Sequence, residues 1–258
     1  MSNITNPNAE NYVVTSIATY YPQIVTLYVP NRAYDKIFTG RDTRDKGLSI
    51  RHNPEKTVQR SLRRTKKKIK DYVRINKFDL FTTFTFKDDR ENVEKSKQKM
   101  SDWLKNQQKR TGKFEYLIVP EFHKDKKAIH FHALIKNYGG KLETAINPLT
   151  KRSVVQKGKQ IYTFPSYKSG FSNAVKIDTD NDSHTKVALY LSKYITKDTP
   201  VFSNKNRYWA SFGLLLPETE DNPEWYGKIK PLNQPYGIDY GVIYTFSAQQ
   251  IKDYYAES

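Results

Sequence analysis

The chain of 258 residues carries 44 Lys and Arg against 27 Asp and Glu, for a formal net charge of +17, and contains no Cys. The lack of Cys excludes a disulfide scaffold and a thiolate zinc site and suits a reducing cytoplasm. No apolar stretch approaches the roughly 18–20 residues of a membrane span, and the polar start "MSNITNPNAENYVV" lacks a signal-peptide pattern, so a soluble cytoplasmic protein is expected.

The charge is unevenly spread. Residues 51–77 hold 11 Lys and Arg against two acidic residues, Glu55 and Asp71, a local net of +9. With 19 Tyr and 13 Phe in the chain, this favours a nucleic acid over a membrane surface as partner.

In chain order, residues 12–29 ("YVVTSIATYYPQIVTLYV") are rich in β-branched and aromatic side chains and predict two strands broken at Pro22. Residues 30–54, punctuated by Pro30, Gly40, Gly47 and Pro54, predict a loop. Over 55–74 a narrow apolar stripe of Val58, Leu62, Ile69 and Val73 predicts a helix. Its other faces carry Arg60, Arg63, Arg64, Lys66, Lys67, Lys68 and Lys70, expected to contact a DNA or RNA backbone.

"LFTTFTF" (80–86) alternates as a strand, read with Leu80, Phe84 and Phe86 on one side and Phe81, Thr82, Thr83 and Thr85 on the other. A helix over roughly 90–110 packs through Val93, Met100, Trp103 and Leu104 and stops at Gly112. "FEYLIVPEF" (114–122) and "AIHFHALIK" (128–136) predict two strands joined by the charged turn "HKDKK".

Residues 139–182 read as an insertion with one short strand near 160–164, and 183–198 as a helix stopped by "DTP". The last third is aromatic and loop-rich. This divides the chain into N-terminal strands and loop (1–54), a basic helix (55–77), a core (78–198, with the insertion 139–182) and a C-terminal extension (199–258).

The best strand raises a chemical question. Side chains at i and i+2 share a strand face, so His130 and His132 point together, while Ile129, Phe131, Ala133 and Ile135 make an apolar opposite face. That opposite face must pack on helices, which leaves the imidazoles as a platform able to bind one metal ion. A third ligand should come from the strand that hairpins back. Glu121 and His123 share a parity there, and Glu121 is favoured because His123 sits nearer the turn. Two His and one carboxylate suit Mn²⁺ or Mg²⁺, with Zn²⁺, Co²⁺ and Fe²⁺ as alternatives.

The helix 183–198 supplies a nucleophile. Tyr190, Tyr194 and Lys197 fall at i, i+4 and i+7 on one face flanked by Lys193, while Ala188, Leu191 and Ile195 form the core-facing side. A protonated phenol is a poor nucleophile, and a neighbouring ammonium stabilises phenolate. Tyrosine, divalent metal and basic surface together suit strand cleavage that leaves a covalent 5′-phosphotyrosine and a 3′-OH.

Three stretches in order then resemble a known family. "LFTTFTF" (80–86), "AIHFHALI" (128–135) and "YLSKYITK" (190–197) look like the three motifs of the HUH endonucleases, specifically the rolling-circle replication initiators (Rep) of phages and plasmids. The resemblance covers about residues 78–198, and "RYWASFGL" (207–214) is similar to a segment that follows the third motif. It implies an α+β, ferredoxin- or RRM-like fold: an antiparallel sheet of about five strands, helices on one face and the metal and tyrosine site on the other.

By the same resemblance His130, His132 and Glu121 match the metal ligands, Tyr190 and Tyr194 the paired nucleophiles, and Lys197 the lysine that follows. Both "YLSK" and "YITK" fit the single-tyrosine pattern, so one phenol, Tyr194 by preference, is enough for chemistry. The chain has no G-x-x-x-x-G-K-[S/T] loop, which implies a host helicase and polymerase as partners and a phage, plasmid or other mobile element in a bacterial cytoplasm. The implied activity is metal-dependent nicking and rejoining of single-stranded or hairpin origin DNA. The alternatives are a relaxase or single-strand transposase of the same superfamily, or a non-catalytic RRM-like nucleic-acid binder.

Overall fold

The computed structural model describes residues 16–30, 54–123, 127–178, 180–202, 206–238 and 241–258. The loop expected over 30–54 and the centre of the "HKDKK" turn lie almost wholly outside the described residues, as does the polar start. Two compact units are present: residues 54–216, and a second in which the N-terminal strands join Pro217–Ser258.

In the second unit, β1 (Ile17–Tyr20) and β2 (Ile24–Pro30) form the expected pair around Pro22. The larger unit begins with helix α1 (Pro54–Ile75), followed by β3 (Leu80–Thr85) and α2 (Val93–Thr111). The Asn92 side chain caps α2 by accepting from the Lys95 N–H, so the helix starts three residues later than the apolar pattern suggests. Gly112 ends it at φ +89°, a conformation that costs a side-chain-bearing residue.

Then come β4 (Glu115–Phe122) and β5 (Ile129–Lys136). Short strands follow: β6 (Glu143–Thr144), β7 (Val155–Gln156), β8 (Lys159–Gln160) and β9 (Tyr162–Thr163), and then β10 (Ser172–Lys176). Helix α3 (Asn181–Lys193) and β11 (Trp209–Ala210) complete this unit. Back in the second unit lie β12 (Thr219–Asp221), β13 (Tyr236–Ile238), β14 (Gly241–Ser247) and α4 (Ala248–Glu257).

The larger unit is built on one antiparallel sheet of order β11-β4-β5-β3-β10-β9-β6. It has seven strands, not about five. The insertion is the reason: it contributes β10, paired with β3 from Ser172 opposite Phe84 to Lys176 opposite Leu80, and the short outer strands β9 and β6. At its centre, β3-α2-β4 with β5 inserted between the strands is a split β-α-β unit, compatible with a ferredoxin-like fold.

Helices cover both faces of this sheet, not one. Phe84, Phe131, Ala133, Ile135 and Ile118 pack with Met100, Trp103 and Leu104 of α2 on one side. On the other, Leu117, Val119 and Leu134 pack with Leu62, Ile69 and Val73 of α1 and with Ala188 and Leu191 of α3. Leu134 explains the difference: it shares the parity of the two histidines yet is fully buried, so the imidazole face carries its own core. Thr82 corrects a parity as well. It is fully buried with Leu80 and Phe84 and donates to the Ala133 carbonyl, whereas Phe81, Thr83 and Thr85 take the other side.

The boundary expected at residue 198 also moves. Residues 207–214 supply edge strand β11, and Asn76 exchanges bonds with the Leu215 backbone, so this segment folds with the core. The second unit has its own sheet, order β12-β1-β2-β14-β13, closed over Trp225, Phe246 and Ile251 of α4. No described helix is long and apolar enough to cross a membrane.

Candidate active site

Three elements bring the expected residues together. In the sheet, β5 sets His130 opposite Glu121 of β4 and opposite Thr85 of β3, and His132 opposite Val119 and Thr83. Helix α1 lies alongside α3, and the shared core under them fixes where α3 ends over the sheet.

Helix α3 stops at Lys193, five residues before the expected end. The cause is a cluster of hydroxyls. Ser192 bonds back to the Leu189 carbonyl, and Thr199 Oγ1 donates to the Tyr194 carbonyl at 2.6 Å while accepting from the Thr196 N–H at 2.7 Å. These side chains offer the backbone a partner other than the next helical turn. Tyr194 is therefore the C-cap, and Lys197 sits exposed in the following turn, off the helix face on which it was expected.

That ending drops the Tyr194 ring onto His132, centroids 4.0 Å apart and planes 12° from parallel. Phe81 lies 5.9 Å from the same imidazole at 19°. His132 is 6% exposed and has both ring nitrogens engaged: Nδ1 with Thr83 Oγ1 at 3.1 Å and Nε2 with Glu121 Oε2 at 2.8 Å. Tyr190, an exposed residue, meets both Tyr194 and Phe81 edge-on, with Lys193 Nζ 5.9 Å from its ring centre.

A cleft of about 470 Å³ opens beside this stack, lined by Glu121, Phe122, His123, His130, Lys193, Tyr194, Thr196, Asp198 and Thr199. Of the residues expected from sequence, Glu121, His130, Tyr194 and Lys193 line it. His132 packs under Tyr194, and Tyr190 bonds to Tyr194 from the outer side. His123, the alternative third ligand, lies with its ring 5.0 Å from that of His130.

Thr83, Thr196, Asp198 and Thr199 were not anticipated. Thr83 was legible in principle, since strand parity alone puts it beside His132 once β3 is paired with β5. The other three depend on where the helix ends.

Burial, the hydrogen bond to Tyr190 and the nearby Tyr190 and Glu121 charges push the Tyr194 phenol well above its usual range. The site thus holds Tyr194 protonated. The ammonium groups, expected to favour phenolate, do not outweigh burial.

The donor set suits a hard divalent cation in kind: two imidazoles and a carboxylate on one sheet face, with the far nitrogen of His132 held by a hydroxyl as a metal-bound His commonly is. Among the described residues no three His, Asp or Glu side chains converge at ligand spacing, and Glu121 and His132 bond to one another.

The basic residues lie on α1 next to α3. Arg60, Arg63, Arg64, Lys67 and Lys68 are exposed, and Lys66 and Lys70 are half-buried. Lys67 pairs with Asp71 at 2.8 Å. Burial and the neighbouring Arg74 and Lys66 lower the pKa of Lys70, a mark of crowded positive charge.

No curated protein and no solved structure matches the chain. Residues 79–199 match the family model described as replication-associated protein ORF2, a segment that runs from β3 through the helix end carrying Tyr194. The match supports a role as a replication initiator.

Proposed function

We propose that this protein starts DNA replication by nicking and rejoining a single strand through a covalent 5′-phosphotyrosine, as rolling-circle initiators of the HUH superfamily do. The observation that carries this reading is the Tyr194 ring, stacked on buried His132 and lining one cleft with Glu121, His130 and Lys193. The family match over the same residues supports it.

In the reaction the Tyr194 oxygen attacks phosphorus and the bond from phosphorus to the 3′ oxygen breaks. The phenol proton leaves along the hydrogen bond to Tyr190, whose exposed side chain passes it to water, and the departing 3′ oxygen takes up a proton. Rejoining is the reverse: a 3′-OH attacks the phosphotyrosine and the phenol recovers its proton. Lys193, on the cleft wall, places positive charge beside the phosphate. Thr83 holds the His132 ring in plane under Tyr194. A Mn²⁺ or Mg²⁺ ion held by His130, His132 and Glu121 would polarise the scissile phosphate. Helix α1 would bind the strand or a hairpin beside it through Arg60, Arg64 and Lys68, and the released 3′-OH would prime a host polymerase behind a host helicase.

The test is a denaturing gel of the protein incubated with labelled single strands from its own replicon, with Mn²⁺ or with EDTA. A slow-migrating adduct that needs Mn²⁺ is expected. Tight binding with no adduct under either condition would point to a non-catalytic binder.

A further inference from the structure

We propose that Phe171 is a base-stacking platform for the single strand that reaches the Tyr194 cleft. The inference rests on the reading of the substrate as a single strand and adds a subsite to it.

The register sets the position. Asn173 of β10 lies opposite Thr83, and Thr83 lies opposite His132. One step further along the same ladders, Phe171 sits beside Thr85, which faces His130, which faces Glu121. Phe171 thus ends a row that crosses the sheet to the candidate ligands, two strand spacings, or about 10 Å, from His130. Parity gives the face. Ser172 and Ala174 are buried toward the aromatic core, so their neighbours Phe171 and Asn173 stand on the face of Thr83, Thr85 and His130.

Phe171 is 81% exposed, although its backbone is tightly held. Thr85 N–H donates to the Phe171 carbonyl at 2.9 Å, and the Phe171 N–H donates to Thr85 Oγ1 at 3.1 Å. Lys87 N–H bonds to Ser169 O, and Tyr167 Oη to Thr85 O, both at 2.9 Å. Gly170 lets the chains approach this closely, for a Cβ there would lie 2.1 Å from the Thr85 carbonyl oxygen. A large apolar ring held in water by ordered backbone gains nothing from burial. Beside a cleft on a strongly basic unit, the occupant that suits it is an unpaired base whose phosphates meet the surrounding positive charge.

Binding of fluorescent oligo-dT and of an equally long abasic strand to the full chain, measured in EDTA so that no chemistry occurs, tests the proposal. Phe171→Ala is expected to weaken oligo-dT binding by about 5- to 150-fold and leave the abasic strand unchanged, while Phe171→Trp keeps wild-type affinity. Equal loss on both strands, no loss on either, or no oligo-dT binding by the wild type would overturn it. An iodouracil-substituted strand should photo-crosslink the wild type at the peptide containing Phe171, and a map that leaves it unlabelled would also count against the platform. Failure of the nicking reading shows itself separately, as no adduct with Mn²⁺ while the selective loss in Phe171→Ala persists.

Discussion

Thr83→Val keeps the shape of the side chain and removes the one hydroxyl that meets His132 Nδ1. In the wild type that ring lies between Tyr194 and Phe81, 6% exposed, with Nε2 already engaged by Glu121. Water has little room to replace the lost partner, so a buried ring nitrogen is left unsatisfied at a cost of about 1–3 kcal/mol. For a unit the size of residues 54–216, each kcal/mol lowers the melting temperature by about 2–4 °C, which gives a fall of about 2–12 °C. Thr83→Ser restores the hydroxyl and should recover most of it. Differential scanning calorimetry reads this directly. Mn²⁺ titration gives a second readout, because losing the bond that orients a ligating His typically weakens metal affinity by about 10–100-fold. If the Val and Ser variants melt together at the wild-type temperature, the hydroxyl does not hold His132, and the positioning argument fails.

Other consequences follow from the same geometry. Tyr190→Phe removes the hydroxyl that carries the Tyr194 proton to water, so adduct formation should slow by about 100-fold or more, and an unchanged rate would take Tyr190 out of the proton path. Replacing Arg60, Arg64 and Lys68 together by Gln should flatten the dependence of log affinity on log salt for a single strand by about 2, and an unchanged slope would remove α1 from the binding surface. Gly170→Ala pushes a methyl group against three Thr85 and Phe86 backbone atoms within 2.1–2.9 Å. Thermal melting should show a loss of about 1–3 kcal/mol as the two bonds at Thr85 are disrupted, and wild-type stability would deny the close approach.

How legible the molecule was in its sequence depended on how local the signal was. His130 and His132 share a face because strand parity needs no partner, and the Glu121 pairing follows from a hairpin between adjacent strands. The apolar stripe of α1 gave that helix to within a residue at each end. Leu134 was harder, since a buried residue of the histidines' parity reveals a second packed face only when a helix far along the chain covers it. The end of α3 was hidden for another reason. "YLSKYITK" keeps a helical pattern, and only the hydroxyls of Ser192 and Thr199 turn it away at Lys193. Strand β10, in a stretch of Gly, Ser and Asn, carries little periodicity of its own and is defined by its pairing with β3. β1 and β12 pair across nearly the whole chain, beyond the reach of any window reading.

The covalent link itself is the decisive observation. After reaction with a single strand and Mn²⁺, digestion and mass spectrometry should find the nucleotide on the peptide bearing Tyr194. Tyr194→Phe should lose that adduct, with any residual product on Tyr190. An adduct of undiminished yield in the Tyr190→Phe, Tyr194→Phe double variant, or one mapped to another residue, would contradict the claim that this phenol attacks the phosphate.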